Sequence, residues 1–544
     1  MDREKGRGIG VKYLVTQAEM KQYDNNTINR LKMPSIVLME RAALVTVRQL
    51  GKELGRGAYR VLVVSGCGNN GGDGLAVGRL LMLEGYPVDF VLLGSRETCS
   101  KETALQTEIL EQYGCTLFDR IPEGEYDIVI DAIFGVGLSR EIEGIYRDAV
   151  CAINRMNGYV CAVDIPSGVH ADTGQILGCA VKADLTVTYG FYKVGQFLYP
   201  GAAYCGKIIC GQMGIDEHGF CGQPPRFYTY TSPEDARLPV RRPDGNKGTF
   251  GKALVIAGSG TICGAALLAA RSVFRMGAGM VRIVTARQNK ETLQQTLPEA
   301  MLTLYDAEQW MESGPDEGFR AAFREACGWA DCILIGPGIG TGKAAEWLLN
   351  QCLYESGLPL VIDADGLNLL AAQTAEAMHT VQTADADREP VNNFMRQRKQ
   401  QPERKMILTP HLGEFSRLSG CEIPEAARNL TVYPQVLADR LDCIVVCKDA
   451  RTIVACPGKT ETYLNTSGNG GMATAGSGDV LAGMITGLLA QGMEAEEAAV
   501  CGVFLHGMAG DMAAGVHGER SMTATDIIGQ FPKVFRAVEE GETA

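Results

Sequence analysis

With 544 residues the chain exceeds what one hydrophobic core supports, so two domains of roughly 200–300 residues are expected. A composition of 46% hydrophobic and 21% charged residues, with 66 glycines and only 3 tryptophans, is that of a loop-rich globular α/β enzyme and excludes a disordered or repeat architecture. The net charge of −13 argues against a nucleic-acid or anionic-membrane surface, and the 18 cysteines, scattered with no C-x-x-C pair, read as reduced core residues rather than disulfides or zinc ligands.

The opening segment MDREKGRGIGVKYLVT lacks an apolar signal core, and no run approaches about 18 uninterrupted apolar residues, so a cytoplasmic protein without a membrane span is expected. A helical stretch over residues 16–51 precedes apolar strands at 60–65, 88–93, 127–131, 159–164 and 185–189, separated by helix-length segments. That alternation predicts a parallel α/β sheet. Residues 216–244, rich in Gly, Pro and charge, carry neither period and mark a junction near 216–235, which sets domains at 1–225 and 235–540. A second strand series at 252–257, 281–285, 332–336, 360–363, 406–409, 443–447 and 452–455 repeats the same logic. Within it the polar stretch 385–405 reads as a surface insertion.

The motif CGNNGGDG at residues 67–74 follows a β-branched run and precedes an apolar helical pattern, so it reads as a strand-to-helix turn that offers backbone N–H groups to an anion. Its glycines allow positive φ and close backbone approach, while Asn69, Asn70 and Asp73 add side-chain groups that a simple dinucleotide loop does not need. Later strand ends supply Asp131 in DAIFGVGLSRE, and Asp164 with Ser167 in DIPSG; the carboxyl ends of parallel strands are where open α/β sheets bind ligands. An amide oxygen, a carboxylate and a hydroxyl are hard ligands suited to an alkali or alkaline-earth cation. Taken singly, each aspartate reads more readily as a loop cap, and it is their coincidence that points to a site.

Together with FYKVG at 191–195, these motifs resemble the NAD(P)H-hydrate epimerase family over residues 16–216. The resemblance implies potassium held by Asn70, Asp131 and Ser167. It also implies a hydrated nicotinamide nucleotide contacted by Asn69, Asn70, Gly71, Gly72 and Asp73, by Gly135, Val136, Gly137, Leu138, Ser139, Arg140 and Glu141, and by Asp164. Asp164 is the acid/base candidate, because epimerising a hydroxyl-bearing ring carbon through C–O cleavage needs a proton donor for the leaving hydroxyl and a base for returning water. Lys193 is a second candidate for handling that proton, or a lysine whose stem simply packs on the sheet.

The second strand series carries NKGTFG at 246–251, GSG at 258–260, GAA at 264–266, GAG at 277–279, GPGIG at 336–340, DADG at 363–366, TPH at 409–411, KDART at 448–452 and GSGD at 476–479. A lone glycine pair is only a turn. GSGD opens a helix, so its amides face phosphate oxygens and Asp479 is placed to take a proton from an acceptor hydroxyl during phosphoryl transfer. The ordered set resembles the ADP/ATP-dependent NAD(P)H-hydrate dehydratase family, of the ribokinase-like superfamily, over residues 244–535. That resemblance implies hydrate binding by Ala265, Gly338, His411 and Asp479, nucleotide binding by Lys448, Asp449, Ala450, Arg451, Thr452 and Gly478, and a magnesium ion with ADP as co-substrate. Two departures stand out: Asn469-Gly-Gly replaces the family's Asn-Pro-Gly, and Asn246 stands where histidine is usual.

The expected fold is α/β in two domains, an N-terminal Rossmann-like α/β/α sandwich and a C-terminal ribokinase-like α/β/α domain. The two resemblances imply bifunctional repair of hydrated NADH and NADPH: epimerisation of the R and S hydrates, and dehydration of the S form at the expense of ADP. Small-molecule substrates, neither nucleic acid nor membrane, and assembly as a homo-oligomer complete the expectation. The alternative is a ribokinase-like vitamin or sugar kinase fused to a nucleotide-binding domain, or an N-terminal domain that only binds.

Overall fold

The computed structural model of the chain describes residues 12–55, 57–378 and 393–540. These fall into two compact units, one over Lys12–Tyr228 and one from Thr229 onward.

The N-terminal unit begins with a capped helix, Gln17–Asn29: the Thr16 hydroxyl accepts the Glu19 N–H at 3.3 Å, and the Glu19 carboxylate accepts the Thr16 N–H at 2.8 Å. A second helix, Ser35–Leu54, follows Pro34 at its N-cap. The single helical stretch expected over 16–51 is therefore two helices, because the residue before proline is pushed out of the helical region.

A seven-stranded parallel sheet follows, in the spatial order Leu117–Phe118, Val88–Leu92, Val61–Ser65, Ile128–Ala132, Tyr159–Val163, Leu185–Tyr189, Lys207–Gly211. Numbered along the chain this is 3-2-1-4-5-6-7, the winding of dinucleotide-binding sheets, with its switch point between Val61–Ser65 and Ile128–Ala132. Both of these strands are buried along their whole length, as a sheet covered on two faces requires. Alternation decides which core each residue joins: Val61, Val63, Ile128 and Ile130 pack on one face, Leu62, Val64 and Val129 on the other. The two edge strands were not foreseen. Leu117–Phe118 is too short to show a period, and Lys207–Gly211 is only half-buried.

The C-terminal unit repeats the scheme with parallel strands in the order Met301–Tyr305, Met280–Ala286, Lys252–Ile256, Cys332–Ile335, Leu360–Ile362, Met406–Leu408, Ile444–Cys447. Two antiparallel strands, Ile453–Ala455 and Thr462–Leu464, extend it. Helix Ala495–His517 is long and apolar enough to cross a membrane by length and composition, yet most of it is buried, packed against Ser477–Ala490 and Ala524–Glu540 as a core helix.

Reading 385–405 as a surface insertion needs correction for its second half; residues 385–392 lie outside those described. Residues 393–400 form a helix, Asn393–Gln400, and Arg398 and Arg404 are buried. Arg398 donates to the Arg404 carbonyl at 2.8 Å and to the Asp442 carboxylate at 2.7 Å. Arg404 donates to the carbonyls of Cys352, Leu353 and Leu358 at 2.7, 2.9 and 2.8 Å. Those carbonyls belong to a chain segment leaving a helix, where acceptors need partners from elsewhere. Arg404→Leu strands three of them, and at about 1–3 kcal/mol for each buried unsatisfied group the variant loses several kcal/mol. Urea unfolding reads that loss, and Arg404→Lys recovers only part of it because an ammonium cannot span the same three acceptors.

Candidate active sites

In the N-terminal unit the glycine motif forms the first turns of helix Asn69–Leu83 rather than a loop before it, with Gly68 as the N-cap. None of Gly68, Gly71, Gly72 or Gly74 has positive φ, which corrects the expectation that conformational freedom explains them. Close approach explains them: an added Cβ would lie 1.8 Å from the Gly66 carbonyl oxygen at Gly71 and 2.2 Å from Ala132 Cβ at Gly74. The helix N-terminus is thereby pressed onto the carboxyl ends of two adjacent strands.

A cavity of about 730 Å³ opens there. Asn69, Asn70, Asp73, residues 135–140 and Asp164 line it together. Gly71 and Gly72 are buried behind it, and Glu141 is exposed outside its wall. Sequence reading missed Asp24, on helix Gln17–Asn29, and Glu102, on helix Lys101–Gln112, which also line it.

Asp164 has a left-handed backbone (φ 66°), an uncommon conformation for a residue with a side chain. Its Oδ1 accepts from the Thr188 hydroxyl at 3.0 Å, from the Tyr189 N–H at 3.3 Å and from the Lys193 ammonium. Lys193 has no exposed side-chain surface and also donates to Thr188 Oγ1 at 2.8 Å and the Tyr189 carbonyl at 3.2 Å. The packed-stem reading of Lys193 thus falls, since its ammonium is the buried end.

Asp131 and Ser167 lie beneath the cavity and do not line it. The Ser167 hydroxyl donates to Asp131 Oδ1 at 2.6 Å and its N–H to Oδ2 at 2.8 Å, while the Phe134 N–H donates to Ser167 Oγ at 2.9 Å. Burial pushes the Asp131 carboxyl up to about 6 despite bonds from Ser167 and Ile133 that favour the charged form. No lysine or arginine among the described residues pairs with it. Asn70 abuts Gly135, within 3.1 Å of where a Cβ would be, and its buried side-chain nitrogen has no hydrogen-bond partner. A buried carboxylate lacking a cationic side chain, beside hydroxyl and amide groups, fits a monovalent cation.

In the C-terminal unit helix Ser477–Ala490 starts after Gly476, whose φ of 87° demands glycine. The Lys448 ammonium lies 3.2 Å from where a Cβ on Gly478 would be and donates to Asp363 Oδ1 at 2.7 Å. Thr409 donates to the same oxygen at 2.7 Å, and Asp363 is buried. Burial alone would lower the Lys448 pKa, but Asp363 and Glu414 outweigh it and the net direction is upward. Burial, then the charge of Asp363, pushes the Asp479 carboxyl up to about 7; Lys448 opposes this, and Asp365 and Glu414 add to it.

His411 caps helix Leu412–Ser419, its Nδ1 accepting the Gly413 N–H at 2.9 Å, and its backbone bridges to Lys448. The half-exposed ring keeps Nε2 3.4 Å from Glu414 Oε1. Gly338 (φ 62°) and Ala265 meet, the latter's Cβ 3.0 Å from where a Cβ on Gly338 would be. Residues 448–452 form the turn between antiparallel strands, where Lys448 reaches Asp363 while Arg451 turns to the Thr466 carbonyl at 2.8 Å. The missing proline after Asn469 is compensated: Asn469 and the Gly468 N–H both donate to the Asp511 carboxylate, at 2.9 and 2.8 Å. Glu414, Asp365 and His506 were not singled out. His506 lies 3.4 Å from Ser477 Oγ and is held neutral, burial and Lys448 lowering it to about 4.

A Rossmann-like unit with a carboxylate-lined cavity and a second parallel α/β unit with a lysine and an aspartate at a helix N-terminus define a two-site, nucleotide-handling enzyme. A family model described as NAD(P)H-hydrate dehydratase matches residues 253–533, and one described as YjeF-related protein N-terminus matches residues 35–195. The bifunctional NAD(P)H-hydrate repair enzyme of Thermofilum pendens is 35% identical, covering 96% of this chain and 96% of its own. That of Moorella thermoacetica is 34% identical, with 97% of each covered. Among solved structures, the ADP/ATP-dependent NAD(P)H-hydrate dehydratase from Bacillus subtilis, co-crystallised with ATP and Mg2+, is 28% identical with a TM-score of 0.44, covering 55% of this chain and 94% of that one. The chain belongs to the family of bifunctional NAD(P)H-hydrate repair enzymes.

A base at Asp479, as the sequence leads one to expect, would have to be ionised to accept a proton, so the prediction is that turnover at this site falls as pH drops through about 7. Stability runs the other way: the folded chain holds this proton more tightly than the unfolded chain, so the contribution is full at low pH and is lost as pH rises toward about 7. Asp479→Asn is therefore expected to abolish turnover while raising Tm above pH 7, measured by calorimetry across pH; a variant that melts below the wild type there contradicts the charge assignment.

Proposed function

We propose that the Lys12–Tyr228 unit interconverts the R and S hydrates of NADH and NADPH, and that the unit from Thr229 onward dehydrates the S form with ADP as phosphoryl donor. The observation that carries this reading is Asp479 beside the Lys448–Asp363 pair at the amide end of a helix. There Asp479 takes the proton of the hydrate's hydroxyl, and the oxygen attacks the terminal phosphorus of ADP as the bond to AMP breaks. Hydroxide is a poor leaving group and phosphate a good one. The C–O bond then breaks with its electron pair going to phosphate, and loss of a proton from the neighbouring ring carbon restores the dihydronicotinamide.

Lys448 supplies a point charge to the nucleotide phosphates, with Gly478 and residues 449–452 beside them, and magnesium enters with the nucleotide. Ala265, Gly338 and His411 face the hydrate in this reading. A stable phosphorylated product, as from a vitamin or sugar kinase, is the competing outcome.

In the first unit Asp164 handles a proton of the hydroxyl or water exchanged at the ring carbon, and Asn69–Asp73 with residues 135–141 hold the nucleotide. Asn70, Asp131 and Ser167 hold potassium, which when bound supplies the positive charge that the buried Asp131 carboxylate lacks. The net charge of −13 supports a cytoplasmic enzyme whose partners are small molecules, neither nucleic acid nor membrane; light scattering reads its assembly as a homo-oligomer.

With a mixture of R and S hydrates, ADP and magnesium, the wild type restores the full reduced-nicotinamide absorbance, and ATP in parallel gives the donor preference. Asp164→Ala leaves one epimer unconsumed over the time in which spontaneous epimerisation is negligible; full consumption by that variant overturns the Asp164 role. Replacing potassium with tetramethylammonium lowers the epimerisation rate of the wild type, and Asp131→Asn removes that response.

A further inference from the structure

The cavity of the first unit holds two aspartates in opposite circumstances. Asp164 is committed: one carboxylate oxygen takes three donors, including the buried Lys193 ammonium. Asp73, in the second turn of helix Asn69–Leu83, lines the same cavity and makes no hydrogen bond or ion pair among the described residues. A carboxylate neutralised by a lysine stays ionised, whereas one with no donor in a site shared with other acids keeps its proton; two carboxyl groups set apart by their surroundings are how one site holds both an acid and a base.

We propose that Asp73 is the proton donor to the leaving hydroxyl in the epimerisation, with Asp164 as the ionised carboxylate that receives the proton of the returning water. This rests on reading the cavity as the epimerase site. Asp73 gives its proton to the hydroxyl oxygen, the C–O bond breaks with its electron pair going to oxygen, and water forms. The ring nitrogen's lone pair makes a C=N bond, leaving a cation over the Asp164 carboxylate. Water adds to the other face of that carbon and loses its proton to Asp164. Proton exchange with solvent resets the two carboxyl groups, and the reverse reaction uses them in exchanged roles.

The groups facing Asp73 come from every element around it. Asp164 and Asp24 add negative charge, Glu102 adds a smaller amount, Lys193 opposes them, and Tyr189 lies on the same side with its hydroxyl bonded to Thr46 at 2.6 Å. Burial leads, and the sum pushes the Asp73 carboxyl well above the ordinary range. Lys193 does not pair with Asp73, because its three donations go to Asp164, Thr188 and Tyr189.

The test follows single purified epimers by chromatography, using the full-length enzyme, at initial rates corrected for spontaneous epimerisation. Asp73→Asn lowers the epimerisation kcat by about 100-fold or more, the usual range for a lost general acid. The wild-type kcat falls as pH rises through the loss of the Asp73 proton; Asp73→Asn lacks that limb, and Asp73→Glu restores part of the rate together with a limb. Dehydration of the S hydrate by the same variants, and their melting curves, report folding. Wild-type epimerisation by Asp73→Asn while Asp164→Ala is inactive overturns the donor role alone. A slow Asp73→Asn with an unaltered pH profile also overturns it, leaving Asp73 its binding role only. Wild-type rates in both variants overturn the reading of the cavity itself.

Discussion

A lysine ammonium driven into the carboxyl edge of a parallel sheet and tied to a strand-end aspartate organises each unit. In the first, Lys193 holds Asp164 together with the Thr188 hydroxyl and the Tyr189 carbonyl. In the second, Lys448 holds Asp363, which also takes the Thr409 hydroxyl. A buried pair of this kind returns little net stability, because the desolvation of both charges consumes the Coulombic gain. Its value is positional. Deleting either partner leaves a charge buried alone, so the loops carrying them are held in one arrangement, and the remaining carboxylates are sorted by their distance from the ammonium.

That sorting accounts for the raised proton affinity of two carboxyl groups. Asp164 and Asp363 have their lysines. Asp73 and Asp479 lie near enough to feel the paired aspartates as negative charge but receive no donor that would make ionisation easy, and both are raised. A site that must move protons near neutrality needs this inequality among like groups. It costs stability, since raised carboxylates are unfavourable once ionised, and the dense cores around them bear that cost. In the second unit His506 and Glu414 extend the pattern: the histidine is held neutral by burial and Lys448, while burial raises the glutamate despite the same lysine.

Much of this was legible in the sequence where period and punctuation speak. Central strands such as 61–65 and 128–132 are unbroken β-branched runs because both faces are covered, and the strand-end aspartates 131 and 164 stand where the sheet's winding makes a crevice. Edge strands were lost because a half-buried run such as Lys207–Gly211 carries a weak signal. For the glycines of residues 68–74 the sequence offered two reasons, positive φ and close backbone approach; sequence cannot tell a left-handed turn from a helix that must touch a carbonyl, and the contact between Gly71 and Gly66 decides for the second. Arg398 and Arg404 were lost for the opposite reason. Charged residues in a polar stretch read as solvated until the carbonyls they satisfy are seen. The pairing of Lys193 with Asp164 spans 29 positions, and no local period encodes it.

The two kinds of site also differ in what they must tolerate. Epimerisation neither gains nor loses atoms, so its site needs only paired proton carriers and room for a ring to leave and regain water, which a cavity of about 730 Å³ lined by unequal carboxyl groups supplies. Dehydration with hydroxide as the leaving group is slow, and converting the hydroxyl to a phosphate ester lowers that barrier. In the proposed reading the helix amides, Lys448 and Asp479 address the transfer of that phosphate. A dehydratase that reads one configuration at the hydroxyl-bearing carbon strands the other epimer, which then accumulates at the rate of spontaneous damage. Encoding an epimerase in the same chain fixes the ratio of the two catalysts, so the stranded epimer drains at a rate set by the enzyme rather than by solution chemistry.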